Sequence, residues 1–218
     1  MVTASVRLPC AAVGVDADGG ATEDATVRVI VWRHPRPVGA AGRCIGRTDL
    51  PVDRRKLRRL AHRIRAAARR HGWPRVVWTS PLARAAQVGR QLSAWGFEHH
   101  VDAALSELDF GRWDGRHWDA IGAAALQAWC DRFEAGRPGE GEALSDLLDR
   151  CDAFLAARTG AAAPVLVIGH AGWMQAAAHV CAGRPRALTA GDWLRAPGYG
   201  ACRVLEWPAS PGRPGRRR

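Results

Sequence analysis

The chain has 218 residues, of which 47% are hydrophobic, and a formal net charge of +11. This length suits one globular domain with a core, and no apolar run approaches the roughly 20 residues that span a bilayer. Arginine supplies nearly all of the positive charge and no basic–aromatic motif accompanies it, so nucleic-acid binding is not predicted. The start of the chain lacks a secretory signal pattern, and we therefore expect a cytoplasmic protein with no membrane partner.

The first half of the chain begins with a segment that lacks hydrophobic periodicity. Residues 1–26 are rich in Ala, Gly and Asp, and we predict that they form a disordered leader. A continuous β-branched run, Val27 to Trp32, then predicts a strand buried on both faces. Asp53 is placed to cap a helix with one apolar stripe, and Gly72 is placed to end it.

The remaining elements alternate between strands and helices. The predicted strands are Arg75 to Thr79, His99 to Asp102, Pro164 to Ile168 and Ala201 to Trp207. The predicted helices open at Ser80-Pro81 and run to about Trp95, then cover Trp118 to Glu134, Glu142 to Thr159 and Trp173 to Cys181. Residues 27–207 are thus predicted to form one domain, followed by a basic disordered tail at 208–218.

This alternation predicts an α/β fold, a three-layer sandwich with a mainly parallel sheet flanked by helices. In such sheets, ligands bind beyond the carboxyl ends of the strands. His34, residues 80–84 and His170 all follow predicted strands. We therefore expect them to meet at one edge of the sheet.

The residue types gathered there suit phosphate chemistry. Arg33 and Arg84 provide planar, multi-donor partners for a phosphate dianion. His34 and His170 provide imidazoles, one of which can act as a nucleophile, and Glu107 in a Gly- and Trp-rich loop provides an acid. Taken singly, each has an ordinary structural explanation as a loop histidine, a solvated arginine or a surface charge. Only their joint arrangement indicates catalysis.

Four motifs, in order, resemble those of the histidine phosphatase superfamily, the phosphoglycerate-mutase-like proteins. A strand ends in Arg33-His34-Pro35, and a second is followed by Ser80-Pro81-Leu82-Ala83-Arg84-Ala85. The acid Glu107 precedes Phe-Gly-x-Trp-Asp-Gly, and a last buried strand ends in His170-Ala171-Gly172. The resemblance covers residues 27–207.

The resemblance implies a phosphomonoesterase that acts through a phosphohistidine. His34 would be the phosphorylated nucleophile, and Glu107 would protonate the leaving group and later activate water. Arg33, Arg84 and His170 would bind the phosphate and stabilise the transition state. The substrate would be a small-molecule phosphate ester, and neither a metal nor another cofactor is implied.

Two positions depart from the family pattern. Pro35 stands where the family usually has Gly, which retains a carbonyl able to orient the His34 ring but removes a backbone N–H. The family motif Pro-x-Gly-Glu-Ser appears only as Pro-Gly-Glu-Gly-Glu at residues 138–142. The second departure bears on the substrate side of the site.

Within the family, Arg-His-Pro and the segment Gly42 to Pro51 are most similar to the α-ribazole phosphatase branch. That similarity implies removal of phosphate from α-ribazole 5′-phosphate, or from a cobalamin phosphate, during assembly of the cobalamin nucleotide loop. Arg43 and Arg47 are candidate substrate contacts. Three tryptophans could also reach the substrate, but we interpret them as core residues: Trp113, Trp118 and Trp129.

Two other functions remain open. The first is a broad-specificity phosphosugar or phosphomonoester phosphatase that uses the same residues. The second is an inactive basic binding protein on a phosphatase scaffold. The sequence also leaves the oligomeric state open, a homodimer included.

The remaining histidines and cysteines predict no metal site. The six cysteines lack ligand spacing and are expected to be free thiols, with Cys44 a spectator in the candidate substrate loop. His99 and His100 are adjacent on a strand, so their side chains should point to opposite faces.

Overall fold

The structure is a computed structural model that describes residues 26–185, 187–193 and 195–208. The predicted leader and tail lie outside these ranges, apart from Thr26 and Pro208, which belong to the first and last strands. Within the described ranges, no helix is both long and apolar enough to cross a membrane.

The described chain folds into five strands and five α-helices, joined in places by 3₁₀ turns. The strands are β1 (Thr26–Arg33), β2 (Val76–Thr79), β3 (Glu98–Val101), β4 (Val165–Gly169) and β5 (Cys202–Pro208). The helices are α1 (Arg54–His71), α2 (Ala83–Ser93), α3 (Ala123–Cys130), α4 (Leu144–Ala156) and α5 (Ala171–Cys181).

The strands form one sheet in the order β3-β2-β4-β1-β5. The first four are parallel to one another, and β5 pairs antiparallel with β1 at an edge. Side chains of α1 and α2 pack on one face of the sheet, and those of α4 and α5 pack on the other. The predicted three-layer α/β sandwich with a mainly parallel sheet is confirmed.

Strand β1 shows why the continuous apolar runs form buried strands. Val29 and Val31 point into the core shared with α4 and α5, whereas Ile30 and Trp32 point into the core shared with α1 and α2. Successive strand side chains face opposite ways, so a strand covered on both faces needs apolar residues at every position.

The strand register brings the histidines together. Arg33 pairs with Gly169 in the β1–β4 ladder, and the next residue on each strand is a histidine, His34 or His170. The His34 backbone N–H donates to the Gly169 carbonyl at 3.1 Å. Ser80 follows β2, which pairs with β4 on its other side. Three strand ends therefore converge at one edge, as expected.

Helix α2 does not begin where the sequence predicts. It starts at Ala83 with Leu82 as its N-cap, rather than at Ser80 and Pro81. The Ser80 hydroxyl instead lies 2.7 Å from His170 Nε2. The predicted N-cap is wrong because this hydroxyl bonds to a side chain from another strand.

The predicted helix from 118 to 134 is also broken. It consists of a 3₁₀ turn, Trp118–Ala120, and the short helix α3, and Gly122 between them has φ +91°. Only glycine adopts such a backbone readily. The break leaves the aromatic side chains of this segment on both sides of an irregular loop.

Two glycine-containing loops pack backbone to backbone beside Glu107. A Cβ at Gly139 would lie 2.3 Å from the Phe110 carbonyl oxygen, and a Cβ at Gly111 would lie 2.2 Å from the Gly139 oxygen. The turn at 138–142, which departs from the family motif, therefore packs against the loop that follows Glu107 and holds it in position.

Gly139→Ala tests this contact, with Gly72→Ala as the control. Both glycines are left-handed with similar dihedrals, φ +57° and ψ 26° against φ +64° and ψ 24°, but Gly72 faces open space. Left-handed strain alone costs about 1–2 kcal/mol, and the clash at Gly139 adds about 1–3 kcal/mol. Urea unfolding should show the larger loss for Gly139→Ala. Equal losses would contradict the close packing.

Candidate active site

The His34 side chain is fixed by the residue that follows it. Its Nδ1 lies 2.7 Å from the Pro35 carbonyl oxygen, and the side chain is almost entirely buried. Because a carbonyl only accepts, Nδ1 carries the proton and Nε2 keeps its lone pair. Burial, and then the charge of Arg84, hold the pKa of His34 well below its ordinary value of 6.5. The ring is therefore neutral near pH 7, with a free lone pair on Nε2.

Arg84 is a buried cation at the centre of the site, with 1% of its surface exposed. Its Nη1 donates to the Thr48 carbonyl at 2.9 Å, and its Nη2 donates to the Gly46 carbonyl at 2.6 Å. Its Nε donates to His170 Nδ1 at 3.2 Å. These contacts use three of the five guanidinium N–H groups, which leaves two for another acceptor.

Both ring nitrogens of His170 have protein partners. Nδ1 accepts from Arg84, so Nε2 carries the proton and donates it to the Ser80 hydroxyl at 2.7 Å. The ring is fully buried, and burial followed by the charge of Arg84 lowers its pKa well below 6.5. Its centroid lies 4.9 Å from that of His34. A neutral His170 therefore holds Arg84 beside the His34 ring.

The loop at 46–48, which binds Arg84, is itself held by Asp114. The Asp114 carboxylate accepts from the backbone N–H groups of Gly46 and Thr48, each at 3.0 Å, and from that of Arg47. The loop turns its N–H groups towards Asp114 and two carbonyls towards Arg84. Asp114 thus positions Arg84 from a distance, a role that the sequence motif alone did not reveal.

The Glu107 carboxylate lies at the start of helix α5. One oxygen accepts from the Gly172 N–H at 3.1 Å, and the other accepts from the Leu108 N–H at 3.0 Å. A Cβ at Gly172 would lie 2.3 Å from the carboxylate, so glycine is required for this approach. Gly172, the glycine of the His-Ala-Gly motif, therefore lets the Glu107 carboxylate approach the start of α5.

Arg150 holds the backbone of the Glu107 segment. It donates to the carbonyls of Ala104, Ser106 and Glu107, at 2.6, 2.7 and 3.1 Å. It also pairs with Glu142, with Nε 2.6 Å from Oε1. The second oxygen of Glu142 accepts from the Asp109 N–H at 3.2 Å. This ion pair ties α4 and the 138–142 turn to the loop that carries Glu107.

Arg33 extends from the end of β1 to the cavity beside His34. Its Nη1 donates to the Pro197 carbonyl at 2.5 Å, and its guanidinium carbon lies 3.9 Å from the centre of the Tyr199 ring. Its Nε is buried and has no hydrogen-bond partner among the described residues. Arg33 therefore has a donor available for an anion in the site.

A cavity of about 640 Å³ lies beside these residues, although His34, Arg84 and His170 do not themselves line it. Arg33 and Glu107 lie in its wall, which is otherwise mainly apolar. The aromatic lining residues are Phe110, Trp118, Trp129, Phe133, Trp193 and Tyr199. We call this space the catalytic cavity. Its size falls within the range of small-molecule sites.

The candidate substrate residues occupy different places. Arg43 lines the catalytic cavity and donates to the Gly115 carbonyl at 2.8 Å. Arg47 does not line it, and its backbone binds Asp114. The core interpretation of Trp118 and Trp129 is incomplete, since both are half-buried in the cavity wall.

Trp113 packs against Trp129, with ring centroids 5.9 Å apart, and does not line the cavity. Tyr199 was not predicted as a site residue. It lies just before β5, and antiparallel pairing with β1 returns the start of β5 to the catalytic edge. The antiparallel direction of β5 was the one feature from which the position of Tyr199 could have been predicted.

The remaining histidines and cysteines lie apart from this chemistry. Cys44 is buried, and burial raises the pKa of its thiol, which keeps it protonated and unreactive. His99 bonds to the Thr79 hydroxyl at 2.8 Å, whereas His100 stacks on Trp78. In the described part of the chain, no group of three or more His, Cys, Asp or Glu side chains could hold a metal ion.

The two buried histidines predict a loss of stability in acid. Their pKa values are lowered in the folded protein, so below about pH 6.5 the unfolded chain binds protons that the native state excludes. The free energy of unfolding therefore decreases as the pH is lowered, by up to about 1.4 kcal/mol per pH unit for each histidine. Urea unfolding from about pH 7 to about pH 5 should show a smaller slope for the double variant His34→Asn/His170→Asn. An unchanged slope would refute the neutral pair.

Solved structures share this fold. A mycobacterial hydrolase is 23% identical, with a TM-score of 0.71 over 86% of this chain and 84% of the other. A mycobacterial glucosyl-3-phosphoglycerate phosphatase is 22% identical, with a TM-score of 0.66 over 84% of this chain and 99% of the other. A phosphoglycerate mutase from Thermus thermophilus is 25% identical, with a TM-score of 0.63 over 84% of this chain and 94% of the other. No curated protein sequence matches.

A sequence-family comparison identifies the chain more directly. The family model of the histidine phosphatase superfamily, branch 1, matches residues 29–207, which include every strand end and loop of the site described above. The match and the phosphatase and mutase folds agree with a phosphomonoester hydrolase. The chain belongs to the histidine phosphatase superfamily.

Proposed function

We propose that His34 Nε2 attacks the phosphorus of a phosphate monoester and forms a phosphohistidine. The observation that carries this proposal is the 2.7 Å contact between His34 Nδ1 and the Pro35 carbonyl. It fixes the tautomer, so the lone pair is on Nε2 and the proton on Nδ1 remains bonded to a carbonyl as positive charge develops on the ring. Pro35 supplies the required carbonyl despite its departure from the family pattern.

Arg33 and Arg84 stabilise the charge of the transferred phosphoryl group. Three hydrogen bonds hold Arg84 in place and leave two of its N–H groups for the phosphoryl oxygens. Arg33 contributes its Nε, which has no hydrogen-bond partner among the described residues. Fixed donors need no reorganisation as charge shifts to the phosphoryl oxygens. His170 acts in this scheme by holding Arg84, and its predicted role as a direct phosphate ligand remains a prediction.

Glu107 handles the protons. In its neutral form it gives a proton to the leaving alkoxide, which departs as the alcohol. The resulting carboxylate then takes a proton from the water that attacks the phosphohistidine, which releases inorganic phosphate and restores His34. The N–H groups of Gly172 and Leu108 hold the carboxyl group at the wall of the catalytic cavity during both steps.

For the substrate, we propose α-ribazole 5′-phosphate or a cobalamin phosphate. The catalytic cavity supports this choice because its wall is rich in aromatic rings, which favour a flat apolar base over a small polar sugar. Arg43 lies in the same wall. A broad-specificity phosphatase would use the same catalytic residues, so the substrate preference must be measured.

His34→Asn tests the nucleophile, since Asn keeps a polar group near Nδ1 but has no Nε2. We expect phosphate release from p-nitrophenyl phosphate to fall by about 10³-fold or more, with excess chelator present throughout. A radiolabelled ester should label the wild-type protein and not the variant. The native fold of the variant is checked by circular dichroism.

The same assay with a panel of esters tests the substrate. A strong preference in kcat/KM for α-ribazole 5′-phosphate over sugar phosphates supports the proposed branch, and similar values across the panel support broad specificity. Retained activity in His34→Asn would overturn the phosphohistidine mechanism. A wild-type protein inactive on every ester would favour the binding-protein alternative.

Glu107→Gln distinguishes the proposed proton donor, Glu107, from the proposed nucleophile, His34. Because p-nitrophenolate leaves without a proton, kcat/KM for its ester should change little. For an alkyl phosphate, whose leaving group needs a proton, kcat/KM should fall by about 10²- to 10⁴-fold. Equal losses on the two esters would show that Glu107 is not the proton donor.

A further inference from the structure

Helix α1 carries a dense positive charge that no described side chain neutralises by pairing. Its 18 residues contain one lysine and eight arginines but no Asp or Glu. None of the ion pairs between described residues includes a cation of this helix. Like charges one turn apart destabilise a helix, so these cations do not serve the stability of α1.

Five of the basic side chains lie along one side of α1. Their spacing of i, i+4, i+8, i+11 and i+15 places them on one face, next to the face that packs on the sheet. At 1.5 Å per residue, they extend over about 23 Å. Arg65 is half-buried and the others are exposed. We call this set the basic stripe, and its members are Arg54, Arg58, His62, Arg65 and Arg69.

Trp95 lies against the middle of the basic stripe. Its ring centroid is 4.5 Å from that of His62, and the guanidinium carbon of Arg65 lies 5.4 Å from the ring centre. Trp95 belongs to the turn between α2 and β3 and is half-buried, so part of its ring remains exposed. The packing of α2 beside α1 therefore places an aromatic ring among the cations.

A cavity of about 300 Å³ lies at the end of the basic stripe. Arg65 and Arg69 line it together with Arg75, and the half-buried Trp73 forms part of its wall. Among the described residues that line it, none carries a carboxylate. Arg75 directly precedes β2, so this cavity lies at the opposite end of the strands from the candidate active site.

We propose that the basic stripe, Trp95 and this cavity bind a single-stranded nucleic acid. The arginines contact the phosphodiester backbone, and the exposed parts of Trp73 and Trp95 stack on bases. This function goes beyond phosphate-ester hydrolysis and does not depend on it. The sequence did not predict nucleic-acid binding because it contains no contiguous basic–aromatic motif. The structure forms such a surface from residues that are distant along the chain.

Two features favour a single strand over other polyanions. The bases of a duplex are stacked on one another, so their faces cannot stack on Trp73 or Trp95, whereas the bases of a single strand can. The apolar face of α1, which includes Leu57, Leu60 and Ile64, is buried against the sheet. An amphipathic helix binds a membrane by inserting its apolar face, and that face of α1 is already occupied.

Fluorescence anisotropy of a labelled oligothymidylate of about 15 nucleotides tests the proposal. The strand carries no terminal phosphate, so it offers His34 no monoester. The test variant is Arg58→Gln/Arg69→Gln, and the control is Arg59→Gln/Arg70→Gln. All four positions are exposed, and each control residue is the next one along α1, about 100° further around its axis.

The test variant should bind the strand on the order of tenfold more weakly than the wild-type protein at constant salt. Its slope of log affinity against log salt should be smaller by about 1.4, because two phosphate contacts are lost at roughly 0.7 each. The control should keep most of the affinity and the slope. Both variants should turn over p-nitrophenyl phosphate as the wild-type protein does, which confirms the fold.

An abasic strand of the same length tests the stacking, since it has the same charge and no bases. The wild-type protein should bind the oligothymidylate about fivefold or more tightly than the abasic strand. Trp73→Leu should reduce this preference. Urea unfolding checks the fold of Trp73→Leu, and the arginine pairs test the proposal independently of it.

Four results would overturn the proposal. The first is no binding of the oligothymidylate, or a loss that is equal in the test variant and the control, which indicates a general positive field. The second is a duplex bound as tightly as the single strand. The third is equal affinity of the wild-type protein for the oligothymidylate and the abasic strand. The fourth is binding to phosphatidylserine vesicles that the test variant loses to the same extent.

Discussion

The buried guanidinium of Arg84 organises the loop and the side chains around it. A cation with 1% exposure loses several kcal/mol of hydration unless fixed acceptors surround it. The carbonyls of Gly46 and Thr48 and the Nδ1 of His170 provide those acceptors. Each then needs support of its own, from Asp114 behind the loop and from Ser80 behind the imidazole. The charge-binding half of the site is thus arranged around one buried ion.

The half of the site that carries Glu107 is built by a second arginine, Arg150. Arg150 binds three backbone carbonyls in the segment that ends at Glu107, and its charge is neutralised by Glu142. The two halves meet where Gly172 donates to the Glu107 carboxylate at the start of α5. Because α5 follows directly from His170, the end of β4 sets the separation between the His170 ring and the Glu107 carboxylate. Helix and strand packing therefore determine how far the Glu107 carboxylate lies from the two histidines.

Much of this could be predicted from the sequence because it depends on local patterns. Continuous apolar runs indicated buried strands, and strand ends indicated the positions of His34 and His170. The role of Ser80 could not be predicted, since Ser-Pro is a local helix-start signal and its actual partner is 90 residues away. Tyr199 was missed because its place depends on the antiparallel direction of β5. The shape of the cavity wall depends on the break at Gly122. This break could not be predicted because the residues around it follow a helical pattern.

The pairing of Thr26 with Pro208 has a practical consequence for engineering. Antiparallel partners lie about 5 Å apart, so the two ends of the described fold are adjacent. They lie at the opposite end of β1 from His34, and an eight-residue strand separates them from it by roughly 25 Å. A short linker can therefore join these ends, and new termini can open in the exposed turn at 159–163. Such a circular permutant leaves the catalytic edge of the sheet intact.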